Sequence, residues 1–367
     1  MNLEIIDSGT IDHQPGRGAF FPVVGELGDG SLVCAQFVGD SLGGDEARME
    51  LLCSQDGASW TNTGLIEGGG LTQEEGYAYR SPQVFEGDDG SWVLRYNRFR
   101  FVSDIMFEDG GGEQPCDMLI ARSTDRGETW SEPEIVPVDL PPERYAWHGI
   151  GLVLRFPSGR WLYPFETGKP IGAEEFPTLI AGASASADRG KTWNETTRVA
   201  SDPHGQTFYY DQASCILSDD RAYTTLWTYA PETNEHLNNT FVISEDEGRT
   251  WSEPQETNLR GQCCVPMPLP DGRVAAIYNY RHEPQGVHVA LSEDLINFDT
   301  DNEVVIFDAG DAATIKEARS DAALDMNMVI GFGRPFGMTL SNGDLYTAFW
   351  CTREGVTHTR WARLRAG

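Results

Sequence analysis

Ser123-Thr-Asp125-Arg-Gly127-Glu-Thr-Trp130 returns as Ser186-Ala-Asp188-Arg-Gly190-Lys-Thr-Trp193 and again as Ser244-Glu-Asp246-Glu-Gly248-Arg-Thr-Trp251. A shortened copy, Ser54-Gln-Asp56-Gly-Ala-Ser-Trp60, precedes them. A decayed one, Ser292-Glu-Asp294-Leu-Ile-Asn-Phe298, follows and keeps the Ser, the Asp and an aromatic. The five aspartates stand 69, 63, 58 and 48 residues apart, a period long enough for a four-stranded unit. The motif has a mechanical reading. Its Ser and Asp can accept hydrogen bonds from the turn's own amides, its Gly takes positive φ, and its Trp packs between sheets.

A second repeat interleaves with the first. Six times an apolar run meets a tight turn and another apolar run, at Gly28-Asp29-Gly30, Asp88-Asp89-Gly90, Pro157-Ser158-Gly159, Ser218-Asp219-Asp220, Pro270-Asp271-Gly272 and Ser341-Asn342-Gly343. Asp-Gly and Asn-Gly between apolar runs signal hairpins. Six hairpins, five followed by the aspartate motif, predict six units of four antiparallel strands. Radial repetition of such sheets makes a β-propeller and protects their edges. The expectation is therefore an all-β, six-bladed propeller, one domain over residues 1–367. Its last blade lacks an outer strand, which Leu3–Ile6 at the N-terminus would supply. Helical periodicity is confined to the stretch Ala312–Ala323.

Composition bounds the function. The chain has 367 residues with 27 Lys+Arg against 57 Asp+Glu, a formal charge of −30. Phosphate affinity rests on Lys and Arg, so nucleic acid and anionic membranes are excluded as partners. Seven scattered cysteines without a C-x-x-C pair read as reduced core residues. No His/Asp cluster has metal spacing, so no metal and no cofactor is expected, with Ca²⁺ in an acidic loop as the open alternative. The opening MNLEIIDSGTIDHQ has neither the basic nor the apolar part of a secretion signal, and a cytoplasmic location is the expectation. Oligomeric state is not legible.

The repeated motif is that of the Asp-boxes, or BNR repeats, and the chain resembles the sialidase (neuraminidase) superfamily over essentially its whole length. The segment His148-Gly-Ile-Gly-Leu-Val-Leu-Arg-Phe-Pro-Ser-Gly-Arg-Trp-Leu-Tyr-Pro164 is similar to that family's third blade. The resemblance implies a pocket at the ring centre, on the face opposite the Asp-boxes. It implies Asp45 as acid/base and Asp211 in place of the glutamate that opens blade four. Elsewhere the chain departs from the family. Phe20-Phe21-Pro22 replaces an Arg-Ile-Pro motif, with Arg17 three residues early. The Trp227-Thr228 region replaces an arginine, and the Arg334-Pro335-Phe336 region replaces the nucleophilic tyrosine.

Read by strand position alone, inner-strand openings supply Arg80, His148, Tyr210, Asp211, Gln212 and Arg334 to the central face. Second-strand ends supply Arg98, Glu166, Tyr229 and Arg281, and the loop 230–239 adds His236. Arginines converging in so acidic a protein point to an anionic ligand such as a uronate, because guanidinium binds carboxylate bidentately. The leading expectation is a glycoside hydrolase acting on an acidic or uncommon sugar. Tyr210 with Asp211 would form an activated nucleophile, and Glu166 or Asp45 would be the proton donor. The rivals are a polysaccharide lyase with His148 or Tyr210 as base, and a non-catalytic glycan-binding propeller.

Overall fold

The computed structural model describes residues 2–102, 107–108, 112–310 and 331–367. Six antiparallel sheets surround one axis, in chain order. Blade 1 holds Gly18–Glu26, Leu32–Gly39, Arg48–Ser54 and Thr61–Leu65; blade 2 holds Tyr77–Glu86, Trp92–Arg100, Cys116–Ser123 and Glu134–Ile135. Blade 3 runs from Ala146–Gly149 and Leu154–Arg155 through Trp161–Pro170 and Ala181–Ser186 to Glu195–Ala200. Blade 4 takes Phe208–Ile216, Ala222–Ala230, Thr240–Ser244 and Gln255–Glu256, and blade 5 takes Gln262–Pro268, Val274–Tyr280, Gly286–Ser292 and Val304–Asp308. Among the described residues the one helical element is a 3-10 turn, Thr300–Asn302. The stretch Ala312–Ala323 lies outside the described residues.

Blade 6 consists of Phe332–Thr339, Leu345–Arg353 and Val356–Ala366, and its outermost strand is Leu3–Asp12 from the other end of the chain. Leu3 pairs with Ala366 and Asp12 with Thr359, so the expected closure by the N-terminus is present and longer than anticipated. Gln36 secures the seam, donating to Asp12 Oδ2 at 2.9 Å and accepting from Thr359 Oγ1 at 2.8 Å.

All six predicted hairpin turns form, with Gly30, Gly90, Gly159, Asp220, Gly272 or Gly343 at positive φ. The aspartate motifs stand on the same face. In each full copy the Ser hydroxyl accepts the Gly amide, as in Gly127 N to Ser123 Oγ at 2.8 Å, and the Asp accepts the Thr amide, as in Thr192 N to Asp188 Oδ1 at 2.8 Å. The decayed copy keeps this mechanism, with Asn297 Nδ2 replacing the Thr hydroxyl on Asp294. Arginines of the motifs clasp the preceding blade: Arg126 pairs with Asp29 at 3.0 Å, and Arg189 with Asp88 at 2.5 Å. The tryptophans are less uniform than expected. Trp130 is buried among Leu51, Tyr79 and Leu94 between blades 1 and 2, whereas Trp60, Trp193 and Trp251 are half-buried at their cores.

The inner strands share one irregularity that positions the site. Ladder register slips between Phe20 and Val23, Arg80 and Gln83, Tyr210 and Ala213, Gln262 and Val265, and Gly333 and Phe336. Inside these bulges Phe21, Ser81, Asp211, Cys263 and Arg334 have φ of +50°, +51°, +50°, +53° and +38°. Gly151 takes the equivalent place in blade 3, at +65°. A left-handed non-glycine residue costs about 1–2 kcal/mol, so five around one axis are a considerable local strain held by the surrounding sheets. Strain of this kind concentrates at functional sites.

Candidate functional site

The bulges turn side chains toward the axis, where a cavity of about 120 Å³ is walled by residues of all six blades. Phe21, Leu42, Phe99, Trp227 and Trp350 make its apolar surfaces. Its chemistry comes from Arg80, Glu113, His148, Glu166, Tyr210, Asp211, Cys263, Arg281 and Arg334.

His148 lies between two carboxylates. Its Nδ1 is 3.2 Å from Glu113 Oε2 and its Nε2 is 3.1 Å from Glu166 Oε1. Burial by itself would lower the imidazole pKa, but the two hydrogen bonds and the two negative charges outweigh it and raise it to about 10. His148 is thus an imidazolium at neutral pH. Glu113 comes from an insertion of blade 2 whose strand Gly112–Glu113 pairs in parallel with Lys169–Pro170 of blade 3. It requires glycine at position 168, where a Cβ would stand 1.9 Å from Glu113 Oε1.

Glu166 also accepts the Asp211 amide, Oε2 to N at 2.7 Å, and so reads the strained backbone of blade 4 directly. The Asp211 carboxylate pairs with Arg334 through Oδ1 and accepts the Cys263 thiol through Oδ2 at 2.9 Å. Burial raises the Asp211 pKa; Arg334 opposes that shift and the Glu166 charge adds to it. Burial and the Asp211 charge push the Cys263 thiol well up, which leaves it a hydrogen-bond donor.

The remaining cations are held by neutral groups, with the charges of Glu46 and Asp45 favouring the Arg80 cation from farther off. Arg80 gives both terminal nitrogens to the Leu42 and Gly44 carbonyls, holding that loop at the cavity edge, and its guanidinium lies over the Phe37 ring. Arg281 donates from Nε to Gln262 Oε1 at 2.6 Å and from Nη2 to the Phe332 carbonyl at 3.1 Å, while its buried Nη1 has no partner. Gly333 makes room for it, since a Cβ there would approach Nη2 to 2.8 Å. Burial lowers both arginines to a pKa of about 10, so both remain cationic at neutral pH. Among the described residues neither makes an ion pair. No three His, Cys, Asp or Glu side chains among the described residues are placed to hold a metal ion.

The structure therefore brings Arg80, His148, Glu166, Tyr210, Asp211, Arg281 and Arg334 to one cavity. Others expected there are elsewhere. Gln212 is fully buried and donates to the Phe165 and Gly182 carbonyls at 2.5 and 2.9 Å, tying blade 4 to blade 3, because the bulge at Asp211 breaks strand alternation. Asp45 is exposed in the loop whose Leu42 and Gly43 reach the cavity, and Arg98 is engaged with Asp117 at 2.8 Å, outside the cavity walls. Arg17 pairs with Asp12 and Glu50, both at 2.8 Å. Tyr229 donates to Asn234 Oδ1 at 2.5 Å. His236 stacks on Trp227 and accepts its Nε1–H at 3.1 Å, so it backs a wall without forming one.

The Tyr210–Asp211 pairing also needs correction. Both Asp211 oxygens are turned to Arg334 and Cys263, and burial together with Glu113 and Glu166 raises the Tyr210 phenol well above its ordinary value. Sequence reasoning missed Glu113, Cys263 and Trp350. Cys263 was recoverable, since aligning the inner strands on their bulges sets it beside Asp211 and Arg334.

A family model described as "BNR repeat-like domain" matches residues 105–358. No curated protein matches. Among solved structures, a protein of unknown function from Dyadobacter fermentans superposes with a TM-score of 0.76 at 19% identity, covering 100% of both chains. The intramolecular trans-sialidase of Ruminococcus gnavus, in complex with oseltamivir carboxylate, gives 0.63 at 13% identity over 99% of this chain and 97% of that one. Trypanosoma rangeli sialidase, in complex with sialic acid, gives 0.62 at 12% identity over 95% and 54%. At these identities the likeness is one of fold.

Proposed function

Given that the chain belongs to the family of BNR repeat-like domains and has the sialidase-like propeller fold, we propose that it is a carbohydrate-active enzyme, a glycoside hydrolase that takes an acidic sugar into the central cavity. The observation that carries this reading is the pair Arg80 and Arg281, one buried and one half-buried, neither of which makes an ion pair among the described residues of a chain of charge −30. Arg281, with Nη1 uncommitted, is the contact for the sugar's carboxylate. Trp227, Trp350, Phe21 and Phe99 give the ring apolar surfaces to lie against. Two fold neighbours are in complex with sialic acid and with oseltamivir carboxylate, which agrees with this choice of ligand class.

Hydrolysis needs a proton for the leaving oxygen and a second carboxylate as base or nucleophile. In this reading Asp211 and Glu166 are the two groups, the first raised by burial and the second steadied by His148 and the Asp211 amide. The lyase alternative is disfavoured by charge. Its base would be His148 or Tyr210, and the first is held protonated while the second is held as neutral phenol. The test is to incubate the protein with glycosides of uronic and sialic acids and with neutral glycosides. New reducing ends from the acidic set, lost in Asp211→Asn, support the hydrolase. An ultraviolet-absorbing unsaturated product would establish a lyase, and retention without turnover a binding protein.

A further inference from the structure

Past the ring of left-handed residues, toward the hairpin face, lies a second, smaller chamber of about 40 Å³. Its walls are mostly apolar, with Val23, Leu152, Val265 and Phe336 prominent. Arg95, from the second strand of blade 2, also lines it at 2% exposure. Its Nη2 donates to the Gly151 carbonyl, its Nε to Gln83 Oε1 at 3.3 Å, and its guanidinium lies over the Tyr163 ring at 5.5 Å. Its Nη1 is buried and makes no well-aligned hydrogen bond, the nearby Tyr163 hydroxyl donating to the Tyr96 carbonyl at 3.1 Å, and among the described residues Arg95 has no ion pair. The one carboxylate in the chamber wall, Asp211, is held by Arg334.

Charge along the axis does not balance. Among the described residues the walls of the two chambers carry Arg80, Arg95, Arg281, Arg334 and the His148 cation against Glu113, Glu166 and Asp211, five positive groups to three negative, while the exposed Glu46 and Asp45 act on Arg80 from outside the walls. Guanidinium does not shed its charge by losing a proton at physiological pH, and burying it unpaired is costly. A sugar carboxylate at Arg281 would account for one excess charge; the other resides at Arg95. We propose that the inner chamber is a binding site for a small monovalent inorganic anion, chloride being the physiological example, with Arg95 as its cationic ligand. The two uncommitted N–H donors of Nη1 among mostly apolar walls suit a weakly hydrated halide and not phosphate or sulfate, whose four oxygens need more donors. The site stands whether or not the outer cavity hydrolyses a sugar.

The experiment uses bromide as the probe. Crystals of the full chain soaked in sodium bromide should show anomalous density in the chamber, within hydrogen-bonding reach of Arg95 Nη1. In solution, replacing gluconate with chloride at constant ionic strength should raise Tm by about 1–4 °C in the parent, and Arg95→Gln should abolish the rise. Bromide density confined to the outer surface, or chamber density that persists in Arg95→Gln, overturns the proposal. If Arg95→Gln does not fold, the bromide soak of the parent decides alone.

Discussion

Replacing Glu113 with Gln removes one of the two carboxylates beside His148 while keeping its size and one acceptor. In the parent, the imidazole pKa stands at about 10 against an ordinary 6.5. At 1.36 kcal/mol for each pH unit, that difference is worth about 5 kcal/mol of preferential binding of the cation. The two carboxylates make near-equal contacts, at 3.2 and 3.1 Å. Because burial opposes the two carboxylates and remains when one is lost, losing one should forfeit more than half of this, at least about 2–3 kcal/mol, and bring His148 to about 8 or below. The assay is NMR titration of the imidazole nitrogens from pH 5 to 11, assigned through His148→Asn. Linkage fixes the companion effect on stability. Because the folded pKa lies above the unfolded one, the contribution is complete below about pH 6.5 and disappears as pH rises toward 10. The parent should thus lose stability relative to His148→Asn across that window. A parent His148 that titrates near 6.5, or a Glu113→Gln variant that leaves it unmoved, would refute the reasoning.

Removing residues 1–12 exposes the edge of Val356–Ala366 and deletes Leu3 and Ile11, whose burial contributes about 3–6 kcal/mol in apolar transfer. The truncated chain should melt lower and self-associate in light scattering, and an unchanged Tm would contradict closure by this strand. Trp130→Ala should cost about 3–5 kcal/mol by denaturant titration, and Trp193→Ala roughly half that because it is half-buried; equal costs would mean that burial is not the cause. Hydrogen bonds from the Thr192 amide and hydroxyl depress the Asp188 pKa to about 2. The stabilisation it brings is present above the ordinary carboxylate range and is lost as pH falls through 2, so the Tm gap between the parent and Asp188→Asn should narrow from pH 5 to pH 2. A constant gap would assign the effect to something other than charge.

The fold was legible because its signals are local. A Ser and an Asp that close a turn on their own backbone, and an Asp-Gly pair between apolar runs, act over a few residues and repeat once per blade. The decayed copy at Ser292 counted correctly, since Asn297 does the work of the missing Thr. The site was legible where strand position alone sets direction, as for His148, Glu166, Asp211, Arg281 and Arg334. It failed where direction depends on tertiary geometry. The bulge at Asp211 sends Gln212 into the interface between blades, opposite to simple alternation. Glu113 arrives on an inserted hairpin that pairs with the neighbouring blade, and nothing in its local sequence marks that partnership. Arg98 was misread because Asp117, directly opposite it on the adjacent strand, captures it.

The central claim is that the cavity recognises the acid group of a sugar through Arg281. Its most direct test is calorimetric binding of a uronic or sialic acid and of the same sugar as its uncharged amide, to the parent and to Arg281→Gln. A charge-assisted contact of about 1.5–3 kcal/mol predicts that the parent prefers the acid by roughly 10- to 150-fold and that the preference largely disappears in the variant. Equal affinity of the parent for acid and amide, or a preference that survives the loss of Arg281, would contradict the account.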